Sequence, residues 1–206
     1  MNTTDVSSAL EEGAVALDLR PPRPFAAEHL PGALTMQFNR ADLGDRAELM
    51  LPRELRLVVH AEPEPIARVA VEILREAGFE VLGHLEGGLK AWKEDGRRTE
   101  TLPLIDVDEL HASPGTYVVV DAREGFEHRH AHIAGALLFP PGDAWERVDE
   151  LPAGRRLAVV CGDQTRSAYV ASVLRRRGLD AVLVMGGMVD WLERGYRVER
   201  TSAVST

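Results

Sequence analysis

Short apolar runs rich in β-branched residues alternate along this chain with stretches whose apolar residues recur every three or four positions. Ala14-Val15-Ala16-Leu17-Asp18, Leu55-Arg56-Leu57-Val58-Val59 and Glu80-Val81-Leu82 have the first character. So do Tyr117-Val118-Val119-Val120-Asp121, Leu157-Ala158-Val159-Val160 and Ala181-Val182-Leu183-Val184. Runs this short and apolar read as buried strands. After the second strand of each half, Ile66, Val69, Ala70, Ile73 and Leu74, and later Ala168, Ala171, Ser172 and Leu174, mark one buried face of a helix. The later helix is expected to begin at Ser167. Gly178 fits the residue just past its end, and Arg175, Arg176 and Arg177 complement the helix dipole there on a solvated face. Strands alternating with helices imply an α/β fold with a central, mainly parallel sheet flanked by helices.

The pattern occurs twice. Leu17-Asp18-Leu19-Arg20 and His29-Leu30-Pro31-Gly32-Ala33 recur 103 positions later as Val120-Asp121-Ala122-Arg123 and His132-Ile133-Ala134-Gly135-Ala136. Val58-Val59-His60 returns as Val159-Val160-Cys161 at an offset of 101, and Leu74 to Gly78 as Leu174 to Gly178 at 100. Gly87-Gly88 with Trp92 returns as Gly186-Gly187 with Trp191 at 99. An offset that drifts slowly from 103 to 99 is what small loop deletions produce in a duplicated unit. Two tandem domains are expected, 1–100 and 101–206, with a polar linker from Arg97 to Pro103 and a frayed tail from Thr201 to Thr206.

Composition narrows the function. Of 206 residues, 45% are hydrophobic and 28% charged, which is ordinary for a globular protein with a sizeable core. The formal charge of −9 argues against general nucleic-acid binding and against adhesion to anionic membranes. No apolar run approaches the roughly 20 residues of a membrane span. Met1 to Ser8 has neither a basic nor an apolar region, so no secretory signal is read there. A single cysteine excludes an internal disulfide and a Cys-x-x-Cys pair, and suits a reducing cytoplasm.

That cysteine, Cys161, ends an apolar run and is followed by Gly162-Asp163-Gln164-Thr165-Arg166-Ser167. Together with Asp-x-Arg followed by His and Gly-Ala (Asp18, Arg20, His29, Gly32; Asp121, Arg123, His132, Gly135) and Gly-Gly-x-x-x-Trp near each unit's end, the stretch resembles the rhodanese family. The resemblance spans nearly the whole chain as two copies. It implies a small α/β domain and a sulfurtransferase: a cysteine accepts a sulfane sulfur from thiosulfate or a persulfide, becomes a persulfide, and passes the sulfur to cyanide, a thiol or a protein acceptor. No metal or organic cofactor is implied. Cys161 is the expected catalytic residue, and Gly162, Asp163, Gln164, Thr165, Arg166 and Ser167 the expected substrate-binding loop.

The chemistry fits these residue types. Sulfur transfer needs a thiolate, whereas a free cysteine is only about 3% ionised at neutral pH. Loop N–H groups curled around the sulfur, the positive end of the following helix and Arg166 are the expected sources of anion stabilisation. Arg166 suits two tasks equally, contacting a donor anion or pinning the loop. Asp121 with Arg123, and Asp18 with Arg20, read as strand-end ion pairs; His29 and His132 read as hydrogen bonds within the fold, and Trp92 and Trp191 as core anchors. His128 and His130 near His132 lack a further ligand at zinc spacing.

The first unit has His60 in place of the cysteine, Pro65 in place of Arg166, and Glu62, Pro63 and Glu64 in the loop. Prolines remove amide donors and carboxylates repel anions, so this half is expected to be catalytically dead. The active loop also departs from the family, with Gln164 where many rhodanese loops have glycine. Gly162 and Asp163 stand where thiosulfate-using loops often carry basic residues. An aspartate beside the sulfur opposes a dianionic donor. Two other readings stay open: a non-enzymatic interaction module, and a cysteine phosphatase, whose loop needs five residues between cysteine and arginine where this chain has four.

Overall fold

The computed structural model describes residues 1–201. It divides into two compact units, Met1–Thr101 and a second from Leu102 onward. The expectation of a frayed tail falls, beyond Thr201, outside the described residues.

The first unit runs α1 (Thr3–Glu11), β1 (Val15–Asp18), α2 (Pro22–Ala27), β2 (Leu34–Thr35), α3 (Leu43–Met50), β3 (Arg56–His60), α4 (Glu64–Glu76), β4 (Glu80–His84) and α5 (Gly88–Glu94). Its four strands form a parallel sheet in the order β2-β1-β3-β4. The second unit runs β5 (Leu104–Asp106), α6 (Val107–Ala112), β6 (Tyr117–Asp121), α7 (Gly125–His130), β7 (Leu137–Leu138), β8 (Arg156–Val160), α8 (Thr165–Arg176), β9 (Ala181–Met185) and α9 (Gly187–Glu193). Two short 3₁₀ turns, Pro141–Asp143 and Val148–Glu150, precede β8. Its sheet is parallel too, in the order β5-β9-β8-β6-β7. The two tandem α/β units with parallel sheets and flanking helices are thus those expected from the strand–helix alternation.

Each sheet places its last-but-one sequence strand, β3 or β8, between two neighbours. These strands are buried along four of their five residues, which is why they read as unbroken apolar runs. After each, a helix returns the chain from the carboxyl end of the strand to the amino end of the next parallel strand. The carboxyl ends of β1 and β3, and of β6 and β8, therefore lie side by side: Asp18 pairs with His60 and Asp121 with Val160. The residue after β8 is Cys161.

The helices differ from expectation in two physical respects. In α4 the buried line is Ala67, Ala70, Val71 and Leu74, and Ile66, Val69 and Ile73 are only half-buried. The apolar stripe is wider than the line that meets the sheet, and its small residues take the closest contact. In α8 every residue from Ser167 to Leu174 is buried, so this helix is enclosed on all sides. Trp145 contributes to that enclosure by donating its indole N–H to the Tyr169 hydroxyl at 2.8 Å. The helix also starts two residues earlier than expected, at Thr165.

α8 ends at Gly178 as expected, and α4 ends in the same way at Gly78. Gly78 and Gly178 sit at φ +85° and +82°. Phe79 N–H reaches back to Leu74 O and Leu179 N–H to Leu174 O, each at 3.0 Å, in a Schellman closure. The segment read as a linker is partly structured: Glu100 bridges His29 by two backbone hydrogen bonds of 2.9 Å, and Glu199 does the same for His132 at 2.9 and 2.8 Å. In each unit the chain thus comes back after its last helix to clasp the loop that follows its second helix.

Candidate active site

Cys161 follows β8, and α8 begins four residues later, so the intervening loop must reverse into the helix over very few residues. The sulfur has no exposed surface. Its Sγ lies 3.2 Å from the Ser167 hydroxyl, which closes the loop end to end around the sulfur. Ser167, itself fully buried, also donates toward the Gln164 carbonyl at 3.3 Å. With a thiol present the S–H can donate to Ser167 Oγ; with a thiolate the hydroxyl can turn and donate to sulfur. The amino end of α8 faces the same loop, where its unpaired N–H groups and dipole favour negative charge.

Gln164 makes the turn possible. It is the one non-glycine with positive φ among the described residues, at +81°. Only glycine takes this conformation without steric cost, so the family's glycine at this position now has a backbone reason. Asp163 folds back on the loop: its Oδ1 accepts the Thr165 N–H at 3.2 Å and stands 4.0 Å from Sγ. The sequence expectation of loop amides aimed at the sulfur therefore does not extend to Thr165, whose N–H is committed to the aspartate.

Arg166 is not free. Its two terminal nitrogens make a bidentate pair with Glu127 of α7 at 2.5 and 2.9 Å. That hydrogen bond to Arg166 is the chief cause holding the Glu127 carboxyl below its ordinary range, and the same pair pushes the guanidinium up. Glu127 also accepts the Glu124 N–H at 3.0 Å, completing a capping box at the start of α7. Glu127 was not visible as a site residue in the sequence, because its partner is 39 positions away. The pair ties Arg166 to α7, and the guanidinium stays close to Gly162: a Cβ there would come 3.7 Å from Nη2.

A second neighbour was equally hidden. Gly186 and Gly187 have φ of +84° and +57°. A Cβ on Gly187 would overlap the Cys161 carbonyl oxygen and lie 2.7 Å from that of Gly162. Met188 N–H donates to the Cys161 carbonyl at 2.7 Å. The Gly-Gly pair is thus the backbone seat of the cysteine loop, and Trp191 anchors it by donating to the Arg197 carbonyl at 3.1 Å.

Around this loop the remaining motif residues hydrogen-bond to one another and to nearby backbone carbonyls. Arg123 Nε and Nη2 bind Asp121 at 2.9 and 2.7 Å, and Nη2 also reaches the Ala131 carbonyl. His132 donates from Nδ1 to the His128 carbonyl at 2.7 Å, and His128 Nδ1 lies 2.9 Å from Asp121. The first unit repeats these contacts with Asp18–Arg20, His29 to the Phe25 carbonyl and Trp92 to the Arg98 carbonyl. Among the described residues no group of three or more His, Cys, Asp or Glu is placed to hold a metal ion.

The first unit repeats this frame with different residues at the loop positions. His60 is fully buried, and neither ring nitrogen has a hydrogen-bond partner; Glu62 approaches Nε2 only to 3.6 Å. Burial pushes its pKa below the ordinary 6.5. Glu64 is held down to about 2, first by its hydrogen bond to Arg68, so this loop carries negative charge. No thiol, hydroxyl or guanidinium stands where Cys161, Ser167 and Arg166 stand in the second unit.

Comparison with known proteins places this geometry in a family. A model of the rhodanese-like domain matches residues 2–95 and again 106–194. A tRNA sulfurtransferase of Thermoplasma acidophilum is 29% identical over 144 residues, covering 70% of this chain and 27% of the archaeal protein. A putative sulfur carrier protein, YrkF, of Bacillus subtilis is 28% identical over 122 residues, covering 56% of this chain and 64% of the other. The chain thus spans about a quarter of the first and under two thirds of the second. Among solved structures, a rhodanese-related protein of Thermoplasma volcanium is 33% identical with a TM-score of 0.46, over 47% of this chain and 97% of that one. No helix among the described residues is long and apolar enough to cross a membrane. With both halves matched, the chain belongs to the rhodanese-like family as a tandem pair of domains.

Proposed function

We propose that the second unit is a sulfurtransferase working through a Cys161 persulfide, and that the first is a non-catalytic copy. The observation that carries this reading is the closed loop: a lone cysteine at a strand end, a buried serine hydroxyl 3.2 Å from its sulfur, and a helix start facing both. The Cys161 thiolate attacks the terminal sulfur of a sulfane donor. A new S–S bond forms to Sγ, the donor's own S–S bond breaks, and the donor leaves as sulfite from thiosulfate or as a thiolate from a persulfide. A second nucleophile, cyanide or a thiol, then takes the outer sulfur and returns Cys161 to the thiolate. A protein thiol is a suitable acceptor, in keeping with the sulfur-carrier relative. In this reading Gly162, Asp163, Gln164 and Thr165 shape the loop, Arg166 holds it and faces the sulfur, and Ser167 hydrogen-bonds the thiolate. The chemistry suits a compartment such as the cytoplasm, where a lone thiol stays reduced.

Full burial of Cys161 favours a rival reading, a rhodanese-like module that binds a partner without chemistry. One measurement separates the two. The full chain is incubated with a sulfane donor and its intact mass followed, beside a Cys161→Ser control. One added sulfur on the native chain and none on the variant is the expected result. Absence of any adduct with thiosulfate and with cysteine persulfide would overturn the sulfurtransferase reading.

A further inference from the structure

Resting on the sulfurtransferase reading, we infer that Glu127 sets the donor class: it neutralises the loop's one cation, so the site takes an organic persulfide in preference to thiosulfate. Thiosulfate carries two negative charges beside its sulfane sulfur and needs a cation to offset the approaching thiolate. In the loop from Cys161 to Ser167 the only cationic side chain is Arg166. Both of its terminal nitrogens are engaged by the Glu127 carboxylate, which that pairing keeps ionised. Asp163 adds a further carboxylate 4.0 Å from the sulfur, fixed there by the Thr165 N–H. One guanidinium thus faces two carboxylates and a thiolate. A dianion entering this loop is therefore opposed by the side-chain charges more than a monoanion or a neutral donor is.

A protonated organic persulfide, R–S–SH, meets much less. The step balances without an added oxidant or reductant: the Cys161 thiolate bonds to the terminal sulfur, the R–S–S bond breaks, Cys161–S–SH forms with the original proton, and R–S⁻ departs. Glu127 acts through Arg166 and is a specificity-determining residue. It is not a participant in bond making.

Three donors test this in the full chain, each read as the initial rate of sulfur addition to Cys161 by intact mass. They are thiosulfate, methanethiosulfonate (a monoanion with comparable leaving chemistry) and cysteine persulfide. The persulfide and the monoanion should each load Cys161 at least about tenfold faster than thiosulfate, the scale on which charge alters encounter. Added salt should raise the thiosulfate rate by screening the repulsion. Glu127→Gln, which keeps a capping-box residue while removing the charge, should raise the thiosulfate-to-persulfide rate ratio about tenfold and flatten the salt dependence. Asp163→Asn should move the ratio the same way. Equal wild-type rates for thiosulfate and persulfide overturn the inference, and so does a ratio that neither variant moves. Fast loading by the monoanion with slow loading by cysteine persulfide overturns the persulfide assignment. Any of these leaves the sulfurtransferase reading standing, whereas failure of all three donors removes that reading itself.

Discussion

Gln164 holds the turn after Cys161 in a conformation, φ +81°, that a side chain disfavours. A non-glycine residue in this region stores about 1–3 kcal/mol of strain. Glycine there gives back part of the gain, about 0.4–1 kcal/mol, through the entropy of the unfolded chain. Gln164→Gly is therefore expected to stabilise the protein by about 1 kcal/mol, raising the denaturation midpoint with an unchanged denaturant slope. A lower midpoint would show that the glutamine side chain holds contacts worth more than the strain. At this scale the sequence was partly legible. Cys161 stood out because its counterpart is His60, and the departure at Gln164 was visible as a missing glycine. Glu127 was not visible, since a carboxylate in a helix cap looks local until the fold brings Arg166 to it.

The elements that hold the site are the Gly186–Gly187 turn and the start of α9. A methyl group at Gly187 would collide with backbone oxygens of residues 161 and 162, which cannot step aside as a flexible side chain could. Gly187→Ala should combine an overpacking penalty with the left-handed penalty, about 2–4 kcal/mol together. It should also remove sulfur loading, because the displaced segment is the cysteine loop. Gly178→Ala offers the contrast: φ is +82° but nothing lies within 4 Å, so only the conformational penalty of about 1 kcal/mol applies and loading should survive. Thermal and denaturant melts of the two variants, beside their loading rates, check both expectations. The strands around this turn were legible because runs such as Leu157 to Val160 are buried on both faces and carry no polar interruption. β5 was not, since its three residues alternate exposed and buried and end in an aspartate. The short helices α2 and α7 were hidden for a related reason: six residues give too few turns for a period to declare itself. The glycine pair was recognisable as a motif, while its purpose depended on a neighbour 25 positions earlier in the chain.

Across the whole molecule, the two units share a frame and differ in the residues of the loop after β3 and β8. The first unit buries two imidazoles, His29 and His60, and burial is the leading cause holding both below the ordinary value of 6.5. In the unfolded chain each takes a proton as the pH falls through about 6.5, whereas in the folded unit each resists doing so. The unfolded state then binds more protons, so stability falls as pH drops from about 6.5 toward the folded values. Denaturant midpoints of the full chain at pH 7.5 and 5.5 should show this loss, and His60→Leu should reduce it. An unchanged pH dependence in that variant would assign the loss elsewhere. The fold class and the doubling were readable from one sequence because they rest on long-range repetition of pattern.

The sulfur of Cys161 has no surface of its own, and that has a bearing on which molecules can meet it at all. Ser167 stands 3.2 Å from Sγ, and the backbone carbonyl of the same cysteine is seated against Gly187; on the proposed sulfurtransferase reading, such a sulfur selects its donor by width as well as by charge. The terminal atom of a persulfide is a single sulfur at the end of a chain, as narrow a probe as chemistry offers. On the proposed reading reactivity is in this sense rationed by shape, and full burial of the thiol sets it apart from bulky oxidants while a sulfur delivered end-on is the donor that suits it.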